Sequence, residues 1–302
     1  MDRRKTMIDL GVYLLLVIGI SILFYVLIIG GGGFAGSNTR RYATGLMWTP
    51  GLAALLTVWL RRIDLRSLGW GWGEWKWNTA GYLIPLFYIL AAYILIWTTG
   101  AGGFADQANV DKIAESMGWQ GMDNALVLIF FFLLLAFTGT ITSVSSALGE
   151  EIGWRGFLTP RLVALSSFTT GSIITGLIWA LWHFPLIVAA DYNGGTPWWY
   201  STLCFAIMIL GMSVILTWLR LKSGSLWPAT LFHTTHNMFL QIYFQGITGE
   251  RGDATKYAGG EFGWALPLMT TIVAIYFWTR RGETATQAAS AHIGRAATDP
   301  QQ

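Results

Sequence analysis

Residues 125–155 read ALVLIFFFLLLAFTGTITSVSSALGEEIGWR. No charged side chain occurs in this run before Glu150. A helix that crosses a bilayer needs about 20 mostly apolar residues, and 125–148 is long enough. The run then ends in Glu150, Glu151 and Arg155. No proline stands between Glu150 and Leu158, so the helix can continue to about Leu158 and carry all three charges inside one rod. Working outward, seven further runs meet the same length test: 10–29, 44–60, 79–97, 172–190, 202–219, 226–244 and 262–278. The expected fold is all-α, a polytopic membrane protein of about eight transmembrane helices.

Composition agrees. The chain is 54% hydrophobic and only 12% charged, too few charges to coat a water-facing surface of this size. Its mean hydropathy is +0.50. The 17 Trp and 11 Tyr suit a protein with two headgroup belts. A lone cysteine, Cys204, excludes an internal disulfide and a cysteine metal cluster. The net charge of +3 arises from basic residues beside apolar runs rather than in one stripe, so no nucleic-acid partner is expected. Arg3, Arg4 and Lys5 precede a first apolar run too long for a signal peptide, with no A-x-A site after it, which reads as an uncleaved anchor. With the N-terminus inside, inner segments hold 14 of the 19 Lys and Arg, and outer segments hold Arg40, Arg41, Lys112, Arg251 and Lys256. Positive charge collects on the cytoplasmic side, so both termini are expected there. With no A-x-A leader and no organelle signal, a cell membrane of prokaryotic type is expected. The chain divides into helices one to three with an outer loop (1–124), a core of helices four to seven (125–245), and a last helix with a polar, disordered tail (246–302). The outer loop, with Asp106, Asp111, Glu115 and Asp123, has room for a short surface helix of unassigned role.

Ionisable side chains inside a membrane are costly and mark function by default. Three groups qualify. Glu151 and Arg155 are four apart on one helical face and can pair, while Glu150 is turned about 100° away from Glu151. Acids at this place can also simply cap a helix at the water interface. His183 lies inside the fifth span with Trp179 one turn before it; a lone histidine there can be only a hydrogen-bonding strut. His233 and Asn237 are four apart in the seventh span, with His236 between them; two histidines and an amide this close are hard to explain as packing, with interhelical hydrogen bonding the alternative. At 1.5 Å per residue, His233 lies about 10–12 Å and His183 roughly 16 Å from the inner ends of their helices. If the fourth helix reaches Leu158, Glu150 matches that depth, and the three groups can meet in a polar cavity opening toward the cytoplasm.

A carboxylate, imidazoles and an amide in such a cavity suffice for hydrolysis: the carboxylate as general base, His and Asn as donors to an oxyanion. The order E-E-x-x-x-R, aromatic-x-x-x-H, H-x-x-x-N resembles the type II CAAX prenyl endopeptidases, within the wider CPBP or abortive-infection (Abi) family of intramembrane proteases. The motifs stand here as Glu150, Glu151 and Arg155, then Trp179 and His183, then His233 and Asn237. Trp179 stands where eukaryotic and archaeal prenyl proteases tend to have Phe, a change expected to matter little. The resemblance implies a glutamate protease without cofactor: Glu150 activates water aided by His183, His233 and Asn237 form the oxyanion hole, and Glu151 with Arg155 holds the geometry. His236 has no place in that pattern. The implied partner is a peptide or protein substrate, membrane-anchored in some relatives. Zinc held by Glu150 or Glu151 with His183, His233 and His236 is the competing chemistry, although H-E-x-x-H is absent. Ser143, Ser145 and Ser146 lack the G-x-S-x surroundings of a rhomboid-like serine site. A scaffold, immunity factor or transporter would keep the fold without the chemistry. The substrate and the oligomeric state are not readable from the sequence.

Overall fold

The computed structural model describes residues 2–284. The polar tail expected to be disordered lies almost wholly outside the described residues. The described chain is helical, and its one β feature is an isolated antiparallel bridge between Gly103 and Gly249. Ten helices suffice to describe it: α1 Arg3–Gly30, α2 Thr39–Leu60, α3 Trp75–Thr98, α4 Gln107–Met117, α5 Asn124–Leu165, α6 Phe168–Ala189, α7 Trp198–Ser223, α8 Trp227–Met238, α9 Asp253–Ala258 and α10 Ala265–Thr279. Each expected span has its rod, and the loop at 100–123 carries the surface helix α4.

Six of these rods, α1, α2, α3, α5, α6 and α7, are long and apolar enough to cross a membrane. The other two expected spans differ. The last rod, α10, has 15 residues and is a shorter apolar helix. The seventh, α8, has 12 regular residues, including His233, His236 and Asn237, and then widens into a π turn, Phe239–Phe244, before Gln245–Ile247. Its polar face explains why it falls outside the six.

The rods close into a circuit of neighbours: α1 packs on α2, α2 on α5, α5 on α8, α8 on α3, α3 on α10, α10 on α7, α7 on α6, and α6 on α1. Every residue of α7 from Gly211 to Arg220 is buried. The outer faces are apolar. Leu15, Ile18, Ile22 and Val26 on α1, and Ile129, Phe130, Leu133 and Phe137 on α5, stand exposed at helical spacing. Water does not tolerate stripes of this extent, and lipid does. This is an all-α, multi-pass membrane protein.

One end of the bundle holds the first helix start and the connections at 61–74, 166–167 and 224–226; the other holds those at 31–38, 99–123, 190–197 and 248–264. Arg155, one of the cations expected at an inner helix end, is not at a helix end at all: its side chain is fully buried within α5.

Candidate active site

The site begins with a close helix crossing. Gly149 and Gly153 lie four apart on α5 and face α2. A Cβ on Gly149 would sit 2.9 Å from the Met47 carbonyl oxygen, and one on Gly153 would sit 2.5 Å from the Pro50 carbonyl carbon. Small residues at this spacing let two membrane helices approach backbone to backbone. The crossing fixes the turn of α5 that carries Glu150 and Glu151.

Directly afterwards, α5 widens into a π turn, Ile152–Leu158. Such turns leave backbone carbonyls without their usual helical donors. Two arginines supply donors: Arg220 Nε binds the Arg155 carbonyl at 2.9 Å, and Arg161 NH1 binds the Phe157 carbonyl at 2.9 Å.

Glu150 is buried, and its Oε2 accepts from the indole Nε1 of Trp179 at 2.8 Å and of Trp154 at 3.3 Å. Both indoles use one oxygen, so they leave the second unengaged. Trp179 therefore makes a contact that Phe cannot make, since no phenyl ring carries an N–H. The same indole lies under the Arg155 guanidinium, 4.3 Å from its carbon to the ring centroid.

Glu151 and Arg155 are both wholly buried and pair at 2.9 Å. The same Glu151 oxygen accepts from His233 Nδ1 at 2.9 Å. Glu151 thus links α5 to α8 and fixes the ring of His233, as carboxylates fix ligand or catalytic histidines generally. His183 Nδ1 meets the backbone carbonyl of Trp179 at 3.0 Å. A carbonyl only accepts, so this nitrogen carries the proton and Nε2 of the neutral ring is a bare acceptor. Both rings are anchored through Nδ1, and both keep Nε2 for other work.

Glu150, His183, His233 and Asn237 line one cavity of about 220 Å³, which is walled on its apolar side by Met47, Met208 and Met212. Glu151 and Arg155 are not on its wall; they stand behind His233. His236, which has no place in the motif pattern, pairs through Nδ1 with the hydroxyl of Tyr88 on α3. Sequence reading missed a further carboxylate on the wall, Glu261, held by the Tyr192 hydroxyl and by Gln241 Nε2 at 2.8 Å. Burial pushes the Glu261 carboxyl above its ordinary range, opposed by those hydrogen bonds and by His233. Among the described residues, no three His, Cys, Asp or Glu side chains gather as a metal ion requires.

The position of the cavity differs from expectation. Its wall residues outside the ten helices and the π turn after α8, Phe34, Tyr192 and Glu261, come from connections at the bundle end opposite the N-terminus. His183 lies six residues before the end of α6 on that side. The expected depth holds only if all three motifs sit near inner helix ends, whereas α5 runs on to Leu165 and leaves Glu150 deep within the rod.

The fold and this site together define a multi-pass helical protein with a buried glutamate–histidine–asparagine cavity. Residues 113–239, which contain every motif residue, match the family model described as type II CAAX prenyl endopeptidase Rce1-like. CAAX prenyl protease 2 of Methanococcus maripaludis is 37% identical over 117 residues, covering 36% of this chain and 38% of that protein. The chain thus matches well under half the length of that curated relative. Over this segment the chain is similar to the CAAX protease family.

Proposed function

We propose that this protein is an intramembrane endopeptidase in which Glu150 activates water against a peptide carbonyl. The observation that carries the reading is the single cavity lined by Glu150, His183, His233 and Asn237, each from a helix that the surrounding packing holds in place. Glu150 takes one proton of a water molecule, and the hydroxide oxygen forms a bond to the carbonyl carbon. His183 Nε2, a bare acceptor, orients the second water proton. The carbonyl π electrons move to oxygen, and the oxyanion is met by the Asn237 amide and by His233 Nε2–H. Donation from that nitrogen requires both ring nitrogens to be protonated, and Glu151 receives the hydrogen bond from Nδ1 of that form. Glu150 then returns its proton to the leaving amine as the C–N bond breaks, which balances the step.

The Methanococcus relative is named for prenylated CAAX proteins; a prenylated or otherwise membrane-anchored peptide is the substrate class this reading favours. The cavity lies in the bundle half away from the N-terminus, so cytoplasmic termini and a cytoplasmic mouth are not both compatible with this geometry. The chemistry does not depend on which is retained.

The test is Glu150→Gln in proteoliposomes with a library of membrane-anchored peptides. The amide keeps the hydrogen bond to Trp179 through its oxygen but cannot take the proton. Cleavage is expected to fall by at least about a hundredfold, the lower range for a lost general base. Cleavage at the wild-type rate would remove Glu150 from the role of base.

A further inference from the structure

Glu261 belongs to none of the three motifs, and it lies 24 residues beyond the last motif residue, Asn237. It is only 7% exposed, yet it lines the same cavity as Glu150 and His233. Its two oxygens are held separately: Tyr192 donates to Oε2, and Gln241 donates to Oε1. Each holder is tied to the motif residues. Gln241 lies four residues beyond Asn237 on the π turn that continues α8, and the ring of Tyr192 stacks against that of His183. Phe262, the next residue, packs edge-on against Tyr192 and stacks on Phe205, fixing the backbone on which Glu261 stands.

The two donors are neutral, and both give a hydrogen to the carboxylate. Among the described residues, no ion pair involves Glu261. A buried carboxylate with two neutral donors and no cation within pairing distance is an incomplete arrangement, since burial of charge is normally offset by direct pairing. Each oxygen accepts one hydrogen here and has a lone pair to spare. A strut joining Tyr192 to Gln241 would need no charge. Apart from the motif residues, His236 and the two holders of Glu261, the wall is apolar and adaptable, with three methionines whose unbranched side chains fit varied guests.

We propose that Glu261 is a specificity-determining residue that selects substrates carrying a Lys or Arg side chain beside an apolar stretch. A cationic head completes the carboxylate, while the methionine wall takes the apolar neighbours. Such a sequence is what the border of a membrane anchor presents, where basic residues flank the span. This inference rests on the hydrolase reading for the chemistry after binding, but the selection itself is a binding property.

The experiment uses full-length protein carrying Glu150→Gln, in nanodiscs, with fluorescent peptides acetylated and amidated at their ends. The peptides form a series in which one Lys, or norleucine in its place, moves along a single apolar sequence. At one register the Lys peptide is expected to bind about tenfold more tightly than its norleucine twin, the ratio that one charge-assisted hydrogen bond supplies. Adding Glu261→Gln is expected to bring that ratio near one while leaving norleucine binding in place, and Glu261→Asp, which keeps the charge, to preserve a preference. No Lys preference at any register, or a preference that survives Glu261→Gln, overturns the proposal. If Glu261→Gln fails to fold, a flat Lys–norleucine series on the Glu261→Asp protein and its parent serves as the same refutation. Cleavage by protein with Glu150 intact is measured separately. Binding selectivity without cleavage sinks the hydrolase reading and leaves Glu261 standing; cleavage blind to Lys, with and without Glu261→Gln, does the reverse.

Discussion

Replacing Arg155 with methionine removes the cation from a wholly buried pair. Arg155 and Glu151 are both at 0% side-chain exposure and 2.9 Å apart, and the guanidinium also covers the face of Trp179. Methionine fills much of the volume but leaves the Glu151 carboxylate with His233 alone. Truncating one partner of a buried ion pair costs about 3–5 kcal/mol, because the other charge is left uncompensated. At about 1.4 kcal/mol per decade, the folded-to-unfolded ratio should fall by roughly 10²–10⁴. The companion variant Glu151→Gln/Arg155→Met removes both charges, and the glutamine oxygen can still accept from His233 Nδ1. It should recover most of the loss, as neutral replacement of whole buried pairs generally does. The assay is reversible unfolding of detergent-solubilised protein by SDS titration, read through tryptophan fluorescence, on wild type, both single variants and the double variant. A cost below about 1 kcal/mol for Arg155→Met, within the range of solvent-exposed pairs, would refute the reasoning. So would a double variant whose loss equals the sum of the two singles, since the cycle would then show no coupling.

The same contacts give further expected outcomes. Trp179→Phe keeps an aromatic ring under Arg155 but deletes the Nε1–H donor to Glu150; kcat/KM should fall about 10- to 150-fold, the range for a hydrogen bond to a charged group, and an unchanged value would show that the indole does not hold the base. Gly153→Ala forces a methyl against the Pro50 backbone and should destabilise by about 1–3 kcal/mol in thermal unfolding, whereas Gly11→Ala, with open space around its Cβ, should be silent. Treatment with 1,10-phenanthroline should leave cleavage unchanged and purified protein should hold substoichiometric zinc; loss of activity restored by zinc would instead favour the metalloprotease alternative. In a Cys204→Ala background, Ser37→Cys marks the end that bears the cavity and Ser67→Cys the opposite end. If the basic bias sets the orientation, an impermeant maleimide outside intact cells labels Ser37→Cys alone, and labelling of Ser67→Cys alone would place the termini outside.

The rods were legible because their signal is composition over 20 residues, which survives local irregularity. The three motif groups were legible because charge in an apolar run stands out, and the four-residue spacing of Glu151 and Arg155 carries directly into a contact. What the sequence concealed has physical reasons. Glu150 was expected to work beside His183, yet its own holders are Trp154 and Trp179; tryptophans are so frequent here that these two did not stand out, although Trp154 lies one turn from Glu150. The link between Glu151 and His233 joins residues 82 positions apart and depends on helix packing that no local pattern encodes. Glu261 sits in a connection, where no periodicity draws the eye. The end of the bundle that bears the cavity was misjudged because helix depth was counted from expected ends, and α5 extends seven residues past the expected Leu158.

The π turn at Ile152–Leu158 has a bearing on how this protein tolerates change in chain length. An i→i+5 turn holds one residue more than the α-helical turn it replaces. Deleting a single residue there would let α5 relax into an uninterrupted helix. The parts of the rod on either side would keep nearly their present phase, because the residue removed is the one the wider turn accommodates. A deletion between Glu151 and Arg155 would shorten their spacing from four to three, and the carbonyls now bound by Arg220 and Arg161 would be reclaimed by the helix. In a regular stretch of α5 the same loss would turn everything beyond it by about 100° and draw it back by about 1.5 Å. Near residues 124–130 that would displace Val127, which is wholly buried. The rod can therefore shorten at this turn with less disturbance than elsewhere.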